Sequence, residues 1–248
     1  MSKIAIITGG SRGIGRAVAL AAAAAGYDVA ISYRSERGAA DEVVRRVRAQ
    51  GRRGLAVAAD SADEAAVINL FAEVDRALGP VDALVNNAGI VGRTCRVDEM
   101  TAEDVGRVLA INVTGCFTAA REAVKRMSTR HGGRGGGIVN ISSAASRLGS
   151  PGEFVHYAAS KGAVDTFTIG LAREVANEGI RVNAVRPGMI DTEIHASSSS
   201  PERIARIIPT VPMKRIGTPD EVAQTVLWLL SDSASYVTGA IIDVSGGR

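Results

Sequence analysis

The sequence predicts an α/β fold, a doubly wound parallel sheet of about seven strands with helices on both faces. Short runs of Ile, Val and Ala alternate along the chain with longer amphipathic segments, as expected of strands that are buried on both faces. The hydrophobic fraction is 46% but the aromatic fraction is only 4%, which predicts a core of small aliphatic side chains. No internal repeat or change in composition divides residues 1–248, so we expect one domain.

Composition excludes several classes of protein. The formal net charge is +3, but Lys and Arg are interleaved with Asp and Glu, so no nucleic-acid partner is expected. Cys95 and Cys116 are too few for a disulfide framework and favour a reducing, cytoplasmic location. The scattered His and Cys have no metal-ligand spacing, and no apolar run reaches membrane-spanning length.

The first strand, Ile4–Ile7, leads into the turn Thr8-Gly9-Gly10-Ser11-Arg12-Gly13-Ile14-Gly15 and then an Ala-rich segment that predicts a helix over 17–25. Glycines let the backbone approach a pyrophosphate, whose charge then lies at the positive end of the helix. Strand, glycine turn and helix in this order predict a Rossmann-type nucleotide site. The alternative is an ordinary strand-to-helix turn.

The second strand, Asp28–Tyr33, ends beside a cation. A ribose 2′-hydroxyl is usually held by a carboxylate near this strand end, and a 2′-phosphate by an arginine. Arg34 follows the strand, no carboxylate occurs until Glu36, and Arg12 adds a second cation. NADP is therefore favoured over NAD, unless both arginines are merely solvated.

The next two strands, Gly54–Ala58 and Val81–Val85, both end in polar residues. After the first, Ser61-x-x-Glu64 predicts a capping box that opens a helix, and Asp60 either serves that helix start or accepts a hydrogen bond from adenine. The second runs into Asn86-Asn87-Ala88-Gly89, at the strand edge where open α/β sheets bind ligands. These asparagines can tie strand ends together or contact a ribose.

Asn112 lies within an amphipathic segment predicted to be helical from Val105 through Arg126. Asn has poor helix propensity, so its presence needs a reason. One reason is an exposed polar face. The other is a kink that frees a backbone carbonyl to hold water.

Tyr157 and Lys161 are four residues apart on a predicted helix, so they share one face. A nearby ammonium favours the phenolate and would lower the tyrosine pKa from about 10; a solvated Tyr and Lys pair is the alternative. Before this helix, the strand Ile138–Ile141 ends in Ser142 and Ser143. Further strands are predicted at 181–185 and 240–244, a helix from Thr218, and a substrate lid over 193–215.

These residues together resemble the classical short-chain dehydrogenase/reductase family, in its NADP-preferring branch, over essentially the whole chain. The shared marks occur in family order: Thr8-Gly9-x-x-x-Gly13-x-Gly15, Asn86–Gly89, Asn112, Ser142 with Ser143, Tyr157-x-x-x-Lys161, and Pro187-Gly188. Phrases such as 29–34 and 243–247 are similar to glucose-dehydrogenase-like and β-ketoacyl-carrier-protein-reductase-like members.

The resemblance implies an oxidoreductase that transfers hydride between NADP(H) and a carbonyl or secondary alcohol. Tyr157 would be the general acid or base, Lys161 would lower its pKa and hold the ribose, and Asn112 would support a proton relay. Ser143 would bind the substrate oxygen. It lies fourteen residues before the tyrosine, one more than the family spacing, so an insertion is inferred in the loop that follows it.

The resemblance also implies the cofactor contacts and a homotetramer with a small-molecule substrate. The cofactor residues would be Gly9, Ser11, Arg12, Gly13, Ile14, Gly15, Arg34, Asp60, Ser61, Asn87, Ala88, Gly89, Tyr157, Lys161, Pro187, Gly188, Ile190 and Thr192. A basic surface formed by Arg126, Arg130 and Arg134 would receive an acidic carrier protein or be a solvated charge face. A non-enzymatic NADP-binding redox sensor is the rival function.

Overall fold

The computed structural model describes residues 2–192 and 201–248. Seven strands form a single, wholly parallel sheet in the order β3-β2-β1-β4-β5-β6-β7, which confirms the predicted fold class. The strands are β1 (Ile4–Ile7), β2 (Asp28–Tyr33), β3 (Gly54–Ala58), β4 (Ala83–Asn86), β5 (Gly136–Ile141), β6 (Ile180–Pro187) and β7 (Ile241–Val244).

Helices cover both faces of this sheet. They are α1 (Gly13–Ala24), α2 (Arg37–Ala49), α3 (Glu64–Ala77), α4 (Ala102–Leu109), α5 (Gly115–Met127), α6 (Ala145–Leu148), α7 (Val155–Val175), α8 (Pro201–Ile207) and α9 (Pro219–Leu230). On one face, α1, α2 and α9 bury a core that includes Val18, Val43 and Val226. On the other, α3, α5 and α7 enclose Phe71 and Met127.

The strand order reverses between β1 and β4, because β1 has β2 on one side and β4 on the other. Ligands of open α/β sheets bind in the crevice outside the carboxyl ends of the strands at such a reversal. The residues that follow β1 and β4 are the glycine turn and the segment beginning at Asn87. The topology therefore brings these two segments, which are remote in sequence, to one place.

Two predictions about where helices begin are wrong. The first helix begins at Gly13, not at Ala17, because the glycine turn continues directly into helical backbone. Helix α3, which follows β3, is capped by Asp63, whose carboxylate accepts hydrogen bonds from the amides of Ala65 and Ala66. The expected Ser61 capping box does not form, since Asp63 is the residue adjacent to the first helical turn.

The segment predicted as one helix over 105–126 is interrupted. A π-helical turn over Ala110–Thr114 separates α4 from α5, and Asn112 lies in its middle. Such turns widen the helix by one residue and often occur at functional sites. Of the two reasons considered for Asn112, an exposed polar face is excluded because Asn112 is 2% exposed.

Of the predicted lid, residues 193–200 lie outside the described residues, so the lid stays a prediction. The part that follows contains α8 and a 3₁₀ turn over Ile208–Thr210. Ile207 and Val211 are buried, which anchors this part of the segment to the rest of the molecule.

Candidate active site

The glycine turn wraps closely around the carboxyl end of β1. The amide of Gly9 donates to the Ser32 hydroxyl at 3.0 Å, and Gly9 and Gly13 both have positive φ, at 62° and 53°. These left-handed conformations suit glycine. Arg12 is the N-cap of α1 and makes no side-chain capping bond, so the first amides of α1 remain available to an anion.

Gly15 does not line the cleft but packs beneath the turn. A Cβ at this position would lie 2.4 Å from the Gly9 carbonyl oxygen and 2.5 Å from Asn87 Nδ2. The backbone of α1 can approach β4 only because this residue has no side chain. Its assignment as a direct cofactor contact is therefore less favoured than a packing role.

Replacing Gly15 with alanine is expected to lower the free energy of unfolding by about 1–3 kcal/mol, because the added methyl group overpacks a closed contact. Urea denaturation at pH 7 measures this. Gly106 is the matched control, since a Cβ there meets nothing within 4 Å. Gly106→Ala should raise helix stability by about 0.5–1 kcal/mol; equal losses in the two variants would contradict the packing argument.

Hydrogen bonds of Asn87 and Thr8 join the ends of β1 and β4. Asn87 Nδ2 donates to the carbonyls of Thr8 and Gly9 at 2.9 and 3.0 Å. In return, the Thr8 hydroxyl accepts from the amides of Asn87 and Ala88, both at 3.0 Å. Of the two uses considered for these asparagines, the geometry favours tying the strand ends together.

Asn112 clamps the loop after β4. Its Oδ1 accepts from the Ile90 amide and its Nδ2 donates to the Ile90 carbonyl, both at 2.9 Å. Nδ2 also donates to the Ser160 hydroxyl at 3.0 Å. The side chain thus joins the π-helical turn, the loop and α7. Because both of its polar atoms are engaged in these bonds, a direct role of Asn112 in a proton relay would fall to its backbone.

Ser142 and Ser143 follow β5 and both line the main cavity, but their hydroxyls make different contacts. The Ser142 hydroxyl is buried and donates to the Lys161 carbonyl at 3.3 Å. Ser143 is half-buried; its hydroxyl accepts from the Ala145 amide at 3.1 Å and lies near enough to Tyr157 to oppose the rise of the tyrosine pKa. The loop that follows has positive φ at Gly149, Ser150 and Gly152, and the insertion inferred in it stays a prediction.

Lys161 reaches the same region from one turn further along α7. Its Nζ donates to the Ile141 carbonyl at 2.7 Å and lies 5.8 Å from the centre of the Tyr157 ring. Gly89 lies beside it, because a Cβ there would be 3.6 Å from Lys161 Nζ and 3.2 Å from Asn112 Oδ1. The Lys161 ammonium is therefore close to the Tyr157 ring, but it donates its hydrogen bond to the carbonyl at the end of β5.

The electrostatics of this pair differ from the sequence expectation. Burial raises the pKa of Tyr157 above its usual value, and a hydrogen bond from Ser143 opposes the shift. Burial also lowers the pKa of Lys161 to about 8, against the attraction of Cys116 and Asp165. The expected lowering of the Tyr157 pKa by Lys161 is absent, because the ammonium donates to Ile141 and desolvation dominates.

A cavity of about 730 Å³ runs from the glycine turn to Tyr157, within the range usual for ligand sites. Nearly all of the predicted cofactor residues line it: Gly9, Ser11, Arg12, Gly13, Ile14, Arg34, Asp60, Ser61, Asn87, Ala88, Gly89, Tyr157, Lys161, Pro187, Gly188, Ile190 and Thr192. Ser143 also lines this cavity. Gly15 and Asn112 do not; both lie behind its wall.

Two cations mark the end of this cavity at the β2 terminus. Arg12 and Arg34 are exposed, line the cavity and form no ion pair with any described residue. Asp60 lies nearby, and its Oδ1 accepts from the Ala62 amide at 3.0 Å. Asp60 thus supports the chain before α3 and also faces the cavity, so both of its considered roles remain open.

The other end of the cavity was not anticipated from the sequence. Its apolar wall includes Val91, Leu148, Pro151, Phe154 and Ile207. An ion pair between Glu153 and Arg206 also lines it. These residues come from separate loops and helices, and no local pattern distinguishes them from ordinary core positions.

A second, much smaller cavity lies behind Lys161. Its volume, about 10 Å³, is close to the minimum for one water. Thr8, Ser61, Asn86, Asn112 and Lys161 are among the residues that line it. It therefore offers polar partners between the lysine and the π-helical turn.

Within 2–192 and 201–248, no group of His, Cys, Asp and Glu is arranged to hold a metal ion. No helix in this part of the chain is long and apolar enough to cross a membrane.

A parallel sheet with a glycine turn, a long cleft at the strand reversal and a Ser, Tyr and Lys cluster in that cleft define the class of dinucleotide-binding oxidoreductases. A family model described as enoyl-(acyl carrier protein) reductase matches residues 9–248. The chain belongs to the short-chain dehydrogenase/reductase family, which confirms the resemblance drawn from its motifs.

Individual relatives span almost the same length. An uncharacterized oxidoreductase of Escherichia coli, YgfF, is 56% identical and each chain is covered to 99%. Glucose 1-dehydrogenase 2 of Bacillus subtilis is 38% identical, with 99% of this chain and 94% of the relative covered. Acetoacetyl-CoA reductase of Shinella zoogloeoides is 41% identical, with coverage of 100% and 99%.

Solved structures agree with the fold. A short-chain dehydrogenase from Burkholderia cenocepacia in complex with NADP has a TM-score of 0.91 and 36% identity, covering 99% of this chain and 97% of its own. A metagenomic blue fluorescent protein in complex with NADPH has a TM-score of 0.92 and 38% identity, with the same coverage.

Proposed function

We propose that this oxidoreductase uses NADP(H) to interconvert a carbonyl group and a secondary alcohol. The observation that carries the proposal is the Ser143, Tyr157 and Lys161 cluster at one end of a cavity whose other end presents Arg12 and Arg34, two cations that form no ion pair with a described residue. Tyr157 acts as general acid in reduction and as base in oxidation, Ser143 binds the substrate oxygen, and Asn112 positions the relay.

The residues fit the proposed cofactor. Arg12 and Arg34 can form charge-assisted hydrogen bonds with a 2′-phosphate, and Gly9 and Gly13, both with positive φ, line the cavity at the start of α1, where a pyrophosphate would lie. NAD(H) lacks the phosphate and is expected to bind less well. When bound, the cofactor supplies the hydride. The complexes of two structural relatives with NADP and NADPH support this choice.

The proton is handled by the chain itself. The raised pKa keeps Tyr157 protonated at neutral pH, which is the form that can donate to a carbonyl oxygen as charge develops on it. Ser143 donates to the same oxygen and thereby stabilises that charge. The small polar cavity between Lys161 and Asn112 offers a position for one water through which the proton on Tyr157 is replenished.

Loss of NADPH absorbance against a panel of ketones, aldehydes and oxo-thioesters, with sugars and NADP⁺ for the reverse reaction, tests the proposal. Turnover of at least one compound that depends on Tyr157 is the expected result. Tight NADPH binding without turnover of any compound would instead favour the rival function, a non-enzymatic redox sensor.

Ser143→Ala is expected to lower kcat/KM by about a hundredfold, as for the loss of one donor to a developing oxyanion. Ser142→Ala is the matched control. It removes only a long, buried bond to the Lys161 carbonyl and should change kcat/KM by less than about threefold, since a net hydrogen bond contributes about 1 kcal/mol or less here. The reverse order of losses would show that Ser142 binds the substrate.

The substrate is a small molecule, and the relatives named above act on compounds as different as glucose and acetoacetyl-CoA.

The basic surface considered for a carrier protein is largely neutralised. Arg126 pairs with Asp75 and Glu122, Arg130 with Glu178, and Arg134 with Asp82. This pairing favours a solvated charge face over a docking site for an acidic carrier protein.

A homotetramer in the cytoplasm is part of the proposal. Two exposed apolar faces support an assembly. The first is formed by α5 and α7, where the rings of Phe117 and Phe167 stack with their centroids 3.8 Å apart and Ile169 is also exposed. The second is Trp228 on α9. Phe117 and Trp228 are 48% and 43% exposed in the single chain. Light scattering at micromolar concentration would contradict the tetramer if it gave a monomer mass.

A further inference from the structure

His156 precedes Tyr157 on α7 and points about 100° away from it around the helix axis. Its side chain is buried, with 4% of the residue exposed. Neither ring nitrogen has a hydrogen-bond partner among the described residues. Buried polar atoms without partners are rare and each needs an explanation, and the mechanism above makes no use of this imidazole.

The imidazole packs directly beneath the loop of residues 90–93. A Cβ on Gly92 would lie 2.4 Å from His156 Nε2 and 2.8 Å from Val108 Cγ2, and Gly92 has a φ of 85°. The ring thus touches loop backbone at a residue that tolerates neither a side chain nor ordinary torsion angles. Nothing but glycine fits between the loop and the ring.

The same loop forms part of the large cavity. Ile90 and Val91 line it, and Ile90 is clamped by Asn112 through its amide and its carbonyl. Further along, Arg93 pairs with Asp104 at 3.1 Å. Between these two attachments, the loop rests at Gly92 on the His156 ring and on the Val108 side chain.

The charged groups near the ring come from the elements packed against it. Burial lowers the pKa of His156 most strongly, Asp104 of α4 raises it and Arg93 of the loop lowers it. Asp104 is already engaged by Thr101 and Arg93. The lowered pKa leaves the ring neutral at pH 7, and its side chain packs between α7 and the loop.

We propose that His156 is a positioning residue: its neutral imidazole supports the loop at Gly92 and so sets the wall that Ile90 and Val91 present to the substrate of Tyr157. This inference rests on the proposed function for its effect on catalysis. It requires no contact between His156 and the substrate, because the effect passes through the loop.

The first experiment compares His156→Ala with His131→Ala in steady-state reduction by NADPH. Truncation of His156 should raise KM for the carbonyl substrate at least tenfold and change kcat and the NADPH dissociation constant less than threefold. His131 is exposed and remote from the loop, so its variant should match wild type. An unchanged KM in His156→Ala would overturn the proposal.

A double-mutant cycle tests whether the effect passes through Gly92. Gly92→Ala should raise KM as His156→Ala does, because its methyl group meets the ring. In the combined variant the methyl group occupies space vacated by the imidazole, so the rise in KM should be smaller than the product of the two single effects. Independent, multiplicative effects would overturn the proposal.

The pH profile separates positioning from mere structural support. Because burial lowers the pKa of His156, the ring stays neutral at the usual histidine value of about 6.5 and gains a charge only at lower pH. Wild-type KM should therefore be constant from pH 7.5 to about 6.5 and rise only below that range, where the ring gains a charge that its pocket does not pair. His156→Phe keeps a ring without a titrating group. It should retain a KM near that of wild type at pH 7.5 and lack the acid-side rise; the same rise in both proteins would count against His156.

Hydrogen exchange gives a readout without turnover. Amides of residues 90–93 should exchange at least tenfold faster in His156→Ala than in wild type, and at the wild-type rate in His156→Phe and His131→Ala. If exchange changes in this way but no carbonyl compound is reduced, the proposed function fails while the support of the loop by His156 stands. Unchanged exchange in His156→Ala would overturn the proposal that His156 supports the loop.

Discussion

Tyr157→Phe is expected to lower kcat by about two to four orders of magnitude, the usual contribution of a positioned general acid or base. The phenol lies in the cleft beside Ser143, and because burial raises its pKa it stays protonated at neutral pH. Phenylalanine preserves the ring and its packing on α7. Single-turnover measurement of NADPH oxidation isolates the chemical step.

The NADPH dissociation constant should change little in Tyr157→Phe, because most of the proposed cofactor contacts lie elsewhere along the cavity. Tyr236 provides the matched control, since it is fully exposed and Tyr236→Phe should behave as wild type. Residual activity within tenfold of wild type in Tyr157→Phe would mean that another group donates the proton, and would remove the proposed mechanism.

Removal of the cations at the β2 terminus should produce the second large effect. Arg34→Gln is expected to raise KM for NADPH by about tenfold to a hundredfold, the range for loss of one hydrogen bond to a charged group. KM for NADH should stay nearly constant, because that cofactor has no 2′-phosphate. The combined Arg12→Gln and Arg34→Gln variant should lose most of its preference between the two cofactors.

Arg37 is a suitable control for this charge removal. It follows Arg34 closely in sequence, but it pairs with Asp41 at 3.6 Å and does not line the cavity. Arg37→Gln should therefore leave the ratio of the two KM values unchanged. An equal loss for NADPH and NADH in Arg34→Gln would contradict phosphate recognition, as would a clear preference of the wild-type enzyme for NADH.

Local signals were sufficient for the fold class and for the family. Aliphatic runs separated by amphipathic segments predicted the parallel sheet, and the glycine turn directly after β1 predicted the nucleotide cleft, because both patterns follow from backbone geometry over a few residues. The position of Arg12 and Arg34 in the cleft could be predicted for the same reason, since each has a fixed place relative to a strand end; their contact with a 2′-phosphate stays a prediction.

Side-chain direction at helix and strand ends was harder to predict. Ser61 was expected to cap α3 and Asp63 does so, and the helix through Asn112 contains a π-helical turn. The effect of Lys161 on Tyr157 also differed, because burial of the phenol and the bond from Lys161 to Ile141 depend on how α7 packs against β5. Neither the burial nor this bond follows from the four-residue spacing of Tyr157 and Lys161.

The sequence by itself determined the sheet, the glycine turn and the order of the site motifs, since each is encoded by neighbouring residues. Only the tertiary structure decided that Ser143 lies near Tyr157 while the Ser142 hydroxyl bonds to α7, and that His156 lies beneath Gly92 with no hydrogen-bond partner among the described residues. Those contacts join residues from separate elements, and their distances are set by packing across the whole domain.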